Sequence, residues 1–184
     1  HQISPGPITP TTVCRFAEVL HYRLQQSGLK FDAIAGIPLA AEPFAEALKD
    51  ICGRSVSLIR LEKISSRGDR RVEVCDPESA ANRQVLVLNE VIDQGQLTLK
   101  AIRSLWKAGA KVVGVVTIVD RCSGGRESLA LAGVPGFVSV YSIIDLLEEM
   151  QDTSRLPKKK VSELLLEIEK RRKRFIRKLA APSR

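Results

Sequence analysis

Two unbroken apolar runs constrain the fold of this chain more than any other feature. They are residues 85–88 (VLVL) and residues 111–119 (KVVGVVTIV), and a helical pattern over residues 96–108 separates them. A strand without a polar face is buried on both sides, which is typical of a parallel sheet covered by helices. The same alternation extends from residue 31 to residue 150. The sequence therefore predicts an α/β fold whose ligands bind beyond the carboxyl ends of the strands.

Composition bounds the class of protein. The chain has 184 residues, of which 44% are hydrophobic and 27% are charged, enough for one domain with a sizeable core. No apolar run reaches the roughly 18 residues that span a membrane, and the polar, proline-rich start has no secretory signal. The four cysteines form no CxxC pair, so we expect reduced thiols in the cytoplasm or an organelle matrix rather than a secreted protein.

Positive charge is concentrated in the tail. Residues 155–184 carry twelve Lys/Arg and three acids, a net charge of +9, whereas the remaining 154 residues carry 17 bases and 18 acids, a net charge of −1. We therefore predict a main domain over residues 1–154 and a basic amphipathic helix over residues 155–184.

Three interpretations of the tail remain open. The helix packs on the domain through its apolar stripe, or it contacts nucleic-acid phosphates, or it lies on a membrane surface. Through this helix the chain would join an RNA or protein partner. Its contact residues would be Lys170, Arg171, Arg172, Lys173 and Arg174.

Two of the predicted strand ends carry candidate binding residues. The turn GIPLAA (residues 36–41) leaves backbone N–H groups free for an anion, or it is an ordinary strand–helix turn. Arg121, before a glycine-rich loop, suits a planar carboxylate or imide, or it pairs with Asp120 to fix that loop.

The third strand end, NEVIDQGQL (residues 89–97), has the layout of a sugar-phosphate site. Acids at the end of a strand bind ribose hydroxyls, and a glycine turn at a helix start presents N–H groups to a phosphate. Here the acidic step is Asn89 followed by Glu90, and the turn contains Asp93 and Gly95.

Together these segments resemble the orotate phosphoribosyltransferase family over about residues 31–150. The resemblance rests on FDAIAGIPLAAEPFAEAL, on VSLIRLEK, on the stretch from VLVLNEVIDQGQL to RESLALAGV, and on IIDLLEEM. It implies the Rossmann-like type I phosphoribosyltransferase fold and a homodimer. It also implies an N-terminal hood over the orotate site, of which residues 1–10 would be a reduced form. It also implies transfer of a phosphoribosyl group from phosphoribosyl pyrophosphate to orotate in the presence of Mg²⁺.

The resemblance also assigns site residues. Glu90 would contact Mg²⁺ only indirectly, through a ribose-bound ion. Residues 65–71 (SSRGDRR) are predicted to form an exposed catalytic loop. The catalytic positions would be Lys63 and Arg67, and the substrate-binding positions Gly36, Leu39, Ala40, Arg60, Asn89, Glu90, Asp93, Gly95 and Arg121.

This sequence departs from the family pattern where the phosphate should bind. One acid of the family's pair is replaced by Asn89, and the hydroxyl-rich cradle is replaced by DQGQL. A carboxylate about 4 Å from a phosphate costs on the order of 4 kcal/mol at an effective dielectric constant near 20. Asp93 is expected to cap the following helix instead.

Two functions follow from these departures. We favour an orotate phosphoribosyltransferase-like protein with lost or strongly reduced catalysis, acting as a binding or structural subunit, for instance in an RNA-containing assembly. The alternative is an active orotate phosphoribosyltransferase that makes orotidine monophosphate for pyrimidine nucleotide synthesis. It is favoured by Arg60, Glu90 and Arg121, which match the family pattern.

Overall fold

The computed structural model describes residues 8–66 and 69–180. Residues 1–7 of the predicted hood and the predicted catalytic residue Arg67 lie outside the described residues. The strands are β1 (Ala33–Gly36), β2 (Ser57–Ile59), β3 (Leu61–Ser66), β4 (Asp69–Val74), β5 (Gln84–Ile92), β6 (Lys111–Asp120) and β7 (Phe137–Ser142). The helices are α1 (Pro10–Ser27), α2 (Glu42–Cys52), α3 (Pro77–Ala80), α4 (Gln96–Lys107), α5 (Gly125–Leu131), α6 (Ile143–Asp152) and α7 (Lys158–Ala180).

A five-stranded parallel sheet forms the centre of the molecule, in the order β2-β1-β5-β6-β7. The two apolar runs are its middle strands, β5 and β6, and nearly all of their residues are buried. Helices α1 and α2 pack against each other and the sheet, and α4 contacts β5 and β6. The predicted α/β fold with a parallel sheet and a C-terminal basic helix is confirmed.

Strand β5 is longer than predicted. It continues past Leu88 to Ile92, because Asn89, Val91 and Ile92 pair in parallel with Thr117, Val119 and Asp120 of β6. Asn89 and Glu90 are therefore strand residues rather than residues of the following loop. Their side chains point alternately to the two sides of the sheet.

The prediction of a loop over residues 65–71 is wrong for the residues that the structure describes. Strands β3 and β4 form an antiparallel hairpin in which Leu61 pairs with Val74 and Ser66 with Asp69. Val72 and Val74 are buried, and the Val74 N–H donates to Ser104 Oγ of α4 at 3.2 Å. The hairpin is held to the domain by these contacts.

Helix α7 packs on the domain through α5 and α6. Val161 and Phe175 are buried, while the basic residues between them are exposed. The tail is therefore docked by its apolar side, as the first interpretation predicted. Among the helices of residues 8–66 and 69–180, none has the length and apolar character needed to cross a membrane.

Candidate functional site

The carboxyl ends of β1, β5 and β6 meet at one edge of the sheet. The Ile37 N–H donates to the Leu88 carbonyl at 2.8 Å, and the Arg121 N–H donates to the Ile92 carbonyl at 2.9 Å. These bonds bring the three predicted strand ends together. A cavity of about 370 Å³ opens there, lined by Ile37, Pro38, Ala40 and residues 89–98.

Asn89 is buried, and part of its hydrogen-bonding capacity is used inside the protein. Its Nδ2 donates to the Thr98 Oγ1 on α4 at 3.0 Å, and Thr98 is itself fully buried. The amide thus ties the end of β5 to the first turn of α4. An Asp at this position could only accept a bond from the Thr98 hydroxyl, so the replacement of a family acid by Asn89 reverses the direction of this bond.

Glu90 is half-buried and lines the cavity. Burial raises the pKa of its carboxyl group above the ordinary value of 4.5, because removal from water disfavours the charged form. It is the one carboxylate at positions 89 and 90, where the family pattern has two acids. Carboxylate oxygens accept hydrogen bonds from hydroxyl groups and bind hard cations.

Asp93 does not cap α4, so that prediction is wrong. The N-cap residue is Gly95, with φ of 76°, and it makes no side-chain cap hydrogen bond. The Asp93 carboxylate lies instead 3.7 Å from the Arg121 guanidinium, and both side chains are about half exposed. Of the two alternatives for Arg121, the pair with Asp120 is not formed: Arg121 pairs with Asp93, and Asp120 Oδ1 accepts from the Cys122 N–H at 2.8 Å.

Close packing, as well as the loop turn, accounts for glycine at positions 124 and 125. A Cβ atom at Gly125 would lie 2.5 Å from the Asp93 carbonyl oxygen. A Cβ atom at Gly124, where φ is 103°, would lie 2.3 Å from Phe175 Cδ1 of α7. The β6–α5 loop is therefore sandwiched between the β5–α4 turn and the C-terminal helix.

The predicted residues of the first turn divide into two groups. Ala40 lines the main cavity, whereas Gly36 lines a separate cavity of about 160 Å³ that also includes Arg60. Leu39 is 73% exposed and has φ of 80°. A left-handed backbone at a residue with a bulky side chain costs on the order of 1 kcal/mol.

The predicted basic residues of the hairpin region lie away from the main cavity. Arg60 lies 3.9 Å from Glu46 and is largely exposed. Lys63 is an exposed residue of β3, paired in register with Val72. A cleft of about 670 Å³ lies elsewhere, between the hairpin and α4. The structure thus joins Asn89, Glu90, Asp93, Gly95 and Arg121 at one place, and it does not bring Arg60 or Lys63 to them.

Residues that sequence reasoning missed complete the site. Thr98 lines the cavity and accepts from Asn89, so one hydroxyl does lie beside the turn. Phe175 and Glu127 fix α7 against the β6–α5 loop, the latter by accepting hydrogen bonds from Arg172. Thr98, the third residue of α4, was visible in the sequence as a hydroxyl beside the turn. The apolar stripe of α7 predicted that the helix packs on the domain, but nothing in the sequence identified the β6–α5 loop and α5 as its partners.

Comparison with known proteins points to one family. Residues 13–138 match the family described as "Phosphoribosyl transferase domain". The orotate phosphoribosyltransferase of Corynebacterium glutamicum (strain R) is 35% identical over 118 residues, which make up 63% of this chain and 62% of that protein. The chain spans about three-fifths of the length of this relative.

Two solved structures are similar. The phosphoribosyltransferase from Corynebacterium diphtheriae is 27% identical, with a TM-score of 0.62 over 76% of this chain and 84% of that one. The UMP synthase of Leishmania donovani is 24% identical, with a TM-score of 0.72 over 88% of this chain and 34% of that one. The second similarity concerns the fold alone.

Proposed function

The chain belongs to the phosphoribosyltransferase family, and from this premise we propose that it is an orotate phosphoribosyltransferase-type protein with lost or strongly reduced catalysis. In this proposal it acts as a binding or structural subunit. One observation supports it above the others: the Asp93 carboxylate stands at the turn before α4, where the resemblance puts the 5′-phosphate.

Charge makes this turn unfavourable for a phosphate. The charged residues that line the cavity within the described part of the chain are Glu90 and Asp93, both acidic. A carboxylate 4 Å from a phosphate costs between ~1 kcal/mol in bulk water and ~4 kcal/mol at a protein surface. Asp93 is about half exposed, so solvent reduces the cost toward the lower figure. This range corresponds to a loss of affinity of roughly fivefold to a thousandfold.

The ribose side of the cavity fits the family chemistry better. Glu90 supplies carboxylate oxygens, the ligand type that Mg²⁺ prefers. Mg²⁺ bound with phosphoribosyl pyrophosphate neutralises part of the pyrophosphate charge. In residues 8–66 and 69–180 no group of three or more His, Cys, Asp or Glu side chains could hold the ion. The resemblance gives Glu90 only indirect contact with the ion, through the ribose.

The second candidate is an active orotate phosphoribosyltransferase. It is supported by the curated relative of that name at 35% identity and by the position of Glu90 and Arg121 at one sheet edge. The comparisons favour this active candidate, whereas the negative charge of Asp93 at the turn before α4 favours lost or reduced catalysis. Substrate binding and turnover decide between them.

Calorimetry with phosphoribosyl pyrophosphate and Mg²⁺, with orotate titrated separately, tests the proposal. We expect phosphoribosyl pyrophosphate to bind no more tightly than about 1 mM, a binding free energy near −4 kcal/mol. Orotidine monophosphate should form slowly or not at all in a spectrophotometric assay. Micromolar binding together with steady turnover would overturn the proposal and establish the second candidate.

Assembly and compartment are proposed on the same resemblance. We propose a homodimer, which light scattering of the full chain would test. A reducing compartment is consistent with Cys14, Cys52, Cys75 and Cys122, all of which are free thiols.

A further inference from the structure

Helix α7 has two chemically different sides, and only one is used by the domain. Phe175 lies against Gly124, and Arg172 donates to Glu127 on α5, so one side of the helix is docked. Val161 is buried near the other end of the helix. The large apolar side chain of α7 that is exposed is that of Leu166. A helix that lies in a membrane surface needs a free apolar face, which this docked helix lacks.

The opposite side carries the α7 basic face, which we define as Lys170, Lys173, Arg174, Arg177 and Lys178. Their spacing of three, four, seven and eight residues from Lys170 puts all five on one side of the helix. All five are exposed, and their side chains border a shallow concavity of about 560 Å³.

The charge of this face is largely uncompensated. Lys173 pairs with Glu169, but no acidic side chain in the described part of the chain pairs with Lys170, Arg174, Arg177 or Lys178. By contrast, Arg171 pairs with Glu167 and Arg172 with Glu127. The predicted contact block of residues 170–174 is therefore divided: Lys170, Lys173 and Arg174 belong to the basic face, and Arg171 and Arg172 belong to ion pairs beside it.

We propose that the α7 basic face binds the phosphate backbone of double-stranded nucleic acid without sequence preference. From residue 170 to residue 178 a helix rises about 12 Å, a length of duplex that presents roughly seven phosphates. The residues of the face are all Lys or Arg, with no aromatic side chain for stacking on bases. It also lacks the aromatic anchors that carry the affinity of protein–protein interfaces.

This inference is independent of the state of the cavity. The basic face lies on α7, and none of its residues lines the cavity at the ends of β1 and β5. A protein with or without phosphoribosyl transfer would bind a duplex in the same way.

Fluorescence anisotropy with labelled duplexes of about 20 base pairs, of DNA and of RNA in separate arms, tests the proposal. The full chain is titrated at about 50 and about 200 mM KCl. We expect affinity in the micromolar range at low salt, and a slope of log affinity against log salt near −3 to −4 for about four phosphate contacts.

Matched variants locate the binding site. Lys170→Glu/Arg174→Glu/Lys178→Glu reverses three charges on the face, and Arg155→Glu/Lys158→Glu/Lys159→Glu makes the same change in net charge before and at the start of α7. We expect the first to lose affinity at least thirtyfold and the second less than fivefold. Because acids near a helix C-terminus weaken the helix, Lys170→Gln/Arg174→Gln/Lys178→Gln serves as a second face variant and should lose at least tenfold.

Several results would overturn the proposal. The first two are no binding to either duplex at low salt and binding that salt does not weaken. The third is an equal loss of affinity in the face and control variants, which would mean that total charge rather than the α7 basic face is responsible. Two further arms use vesicles of anionic phospholipid and poly-glutamate. Tighter binding to either one than to both duplexes would assign the face to a membrane surface or to an acidic protein.

Discussion

The Asp93 carboxylate lies 3.7 Å from the Arg121 guanidinium and joins the turn before α4 to the loop before α5. The resemblance places Asp93 close to both the 5′-phosphate of phosphoribosyl pyrophosphate and the orotate, and it places Arg121 at the orotate. The ion pair would therefore compete with both substrates. Since both side chains are about half exposed, the pair itself contributes less than about 1 kcal/mol to stability.

Replacing this acid should improve phosphate binding. Asp93→Thr removes a negative charge, supplies a hydroxyl group at the turn and frees Arg121. We expect the affinity for phosphoribosyl pyrophosphate with Mg²⁺ to rise at least tenfold, about 1.4 kcal/mol, in a calorimetric titration. Asp50→Thr is the control, because it makes the same change at an exposed residue of α2. Equal affinities for Asp93→Thr and wild type would show that Asp93 is not what weakens the site.

Burial of Glu90 predicts a stability that depends on pH. Because the pKa of Glu90 is raised above 4.5, the folded protein binds more protons than the unfolded chain between 4.5 and the raised value. The free energy of unfolding therefore falls as pH rises through that window. Glu90→Gln lacks this loss, so its stability relative to wild type should increase as pH rises from about 4 and then level off. Urea unfolding at a series of pH values measures the difference.

The pKa of Asp145 is shifted in the opposite direction, so its effect on stability has the opposite pH dependence. The Ser142 N–H and hydroxyl lower the pKa of Asp145 below 3.8, because they hydrogen-bond its charged form at the start of α6. The contribution of Asp145 to the free energy of unfolding is present above pH 3.8 and is lost as pH falls through its lowered pKa. Asp145→Ala should therefore be destabilised more at pH about 7 than at pH about 3. A Glu90→Gln difference with the same slope as Asp145→Ala would contradict the burial of Glu90.

The contact between Phe175 and Gly124 predicts coupled mutations. Gly124→Ala puts a Cβ atom 2.3 Å from the Phe175 ring and strains a backbone with φ of 103°. Phe175→Ala removes a buried ring and should cost about 3 kcal/mol, mainly by undocking α7. The double variant should be more stable than the sum of the single effects predicts, by about 0.5–3 kcal/mol.

Gly133→Ala is the control for this cycle. Gly133 has φ of 86° but no atom within 4 Å of an added Cβ, so it has the strain without the clash. Its effect should add to that of Phe175→Ala. Hydrogen exchange should show faster exchange in residues 158–180 for Phe175→Ala and unchanged protection of β5. Full additivity at both glycines would mean that α7 does not pack on the loop.

Local sequence patterns were sufficient for the architecture and the general position of the site. The apolar runs of β5 and β6 predicted the parallel sheet, and parallel strands bring their carboxyl ends to one edge, which placed Glu90 near Arg121. The family resemblance is confirmed by the match over residues 13–138. The β4 strand had a usable signal, since Val72 and Val74 alternate with Arg71 and Glu73.

Contacts between distant residues were not predictable in the same way. Whether Arg121 pairs with its neighbour Asp120 or with Asp93 depends on how two loops approach each other, and Gly125 permits an approach that any side chain would block. Likewise, the side of α7 that packs on the domain depends on where the Phe175 ring fits, which is over Gly124. Such choices depend on shape across the whole domain rather than on periodicity.

The Asn89–Thr98 bond predicts a cost for removing one partner that removal of both avoids. Thr98→Val keeps the shape of the side chain but leaves the buried Asn89 amide without its acceptor, which should cost about 1–3 kcal/mol in urea unfolding. Thr98→Ser keeps the hydroxyl and should cost less than Thr98→Val, about 0.8 kcal/mol for the lost methyl group. Asn89→Leu/Thr98→Val should be more stable than Thr98→Val alone, because no polar group is then buried without a partner. If Thr98→Val and Thr98→Ser lost equal stability, the hydroxyl would not be the acceptor, and Asn89 would be free to turn its amide toward a ligand.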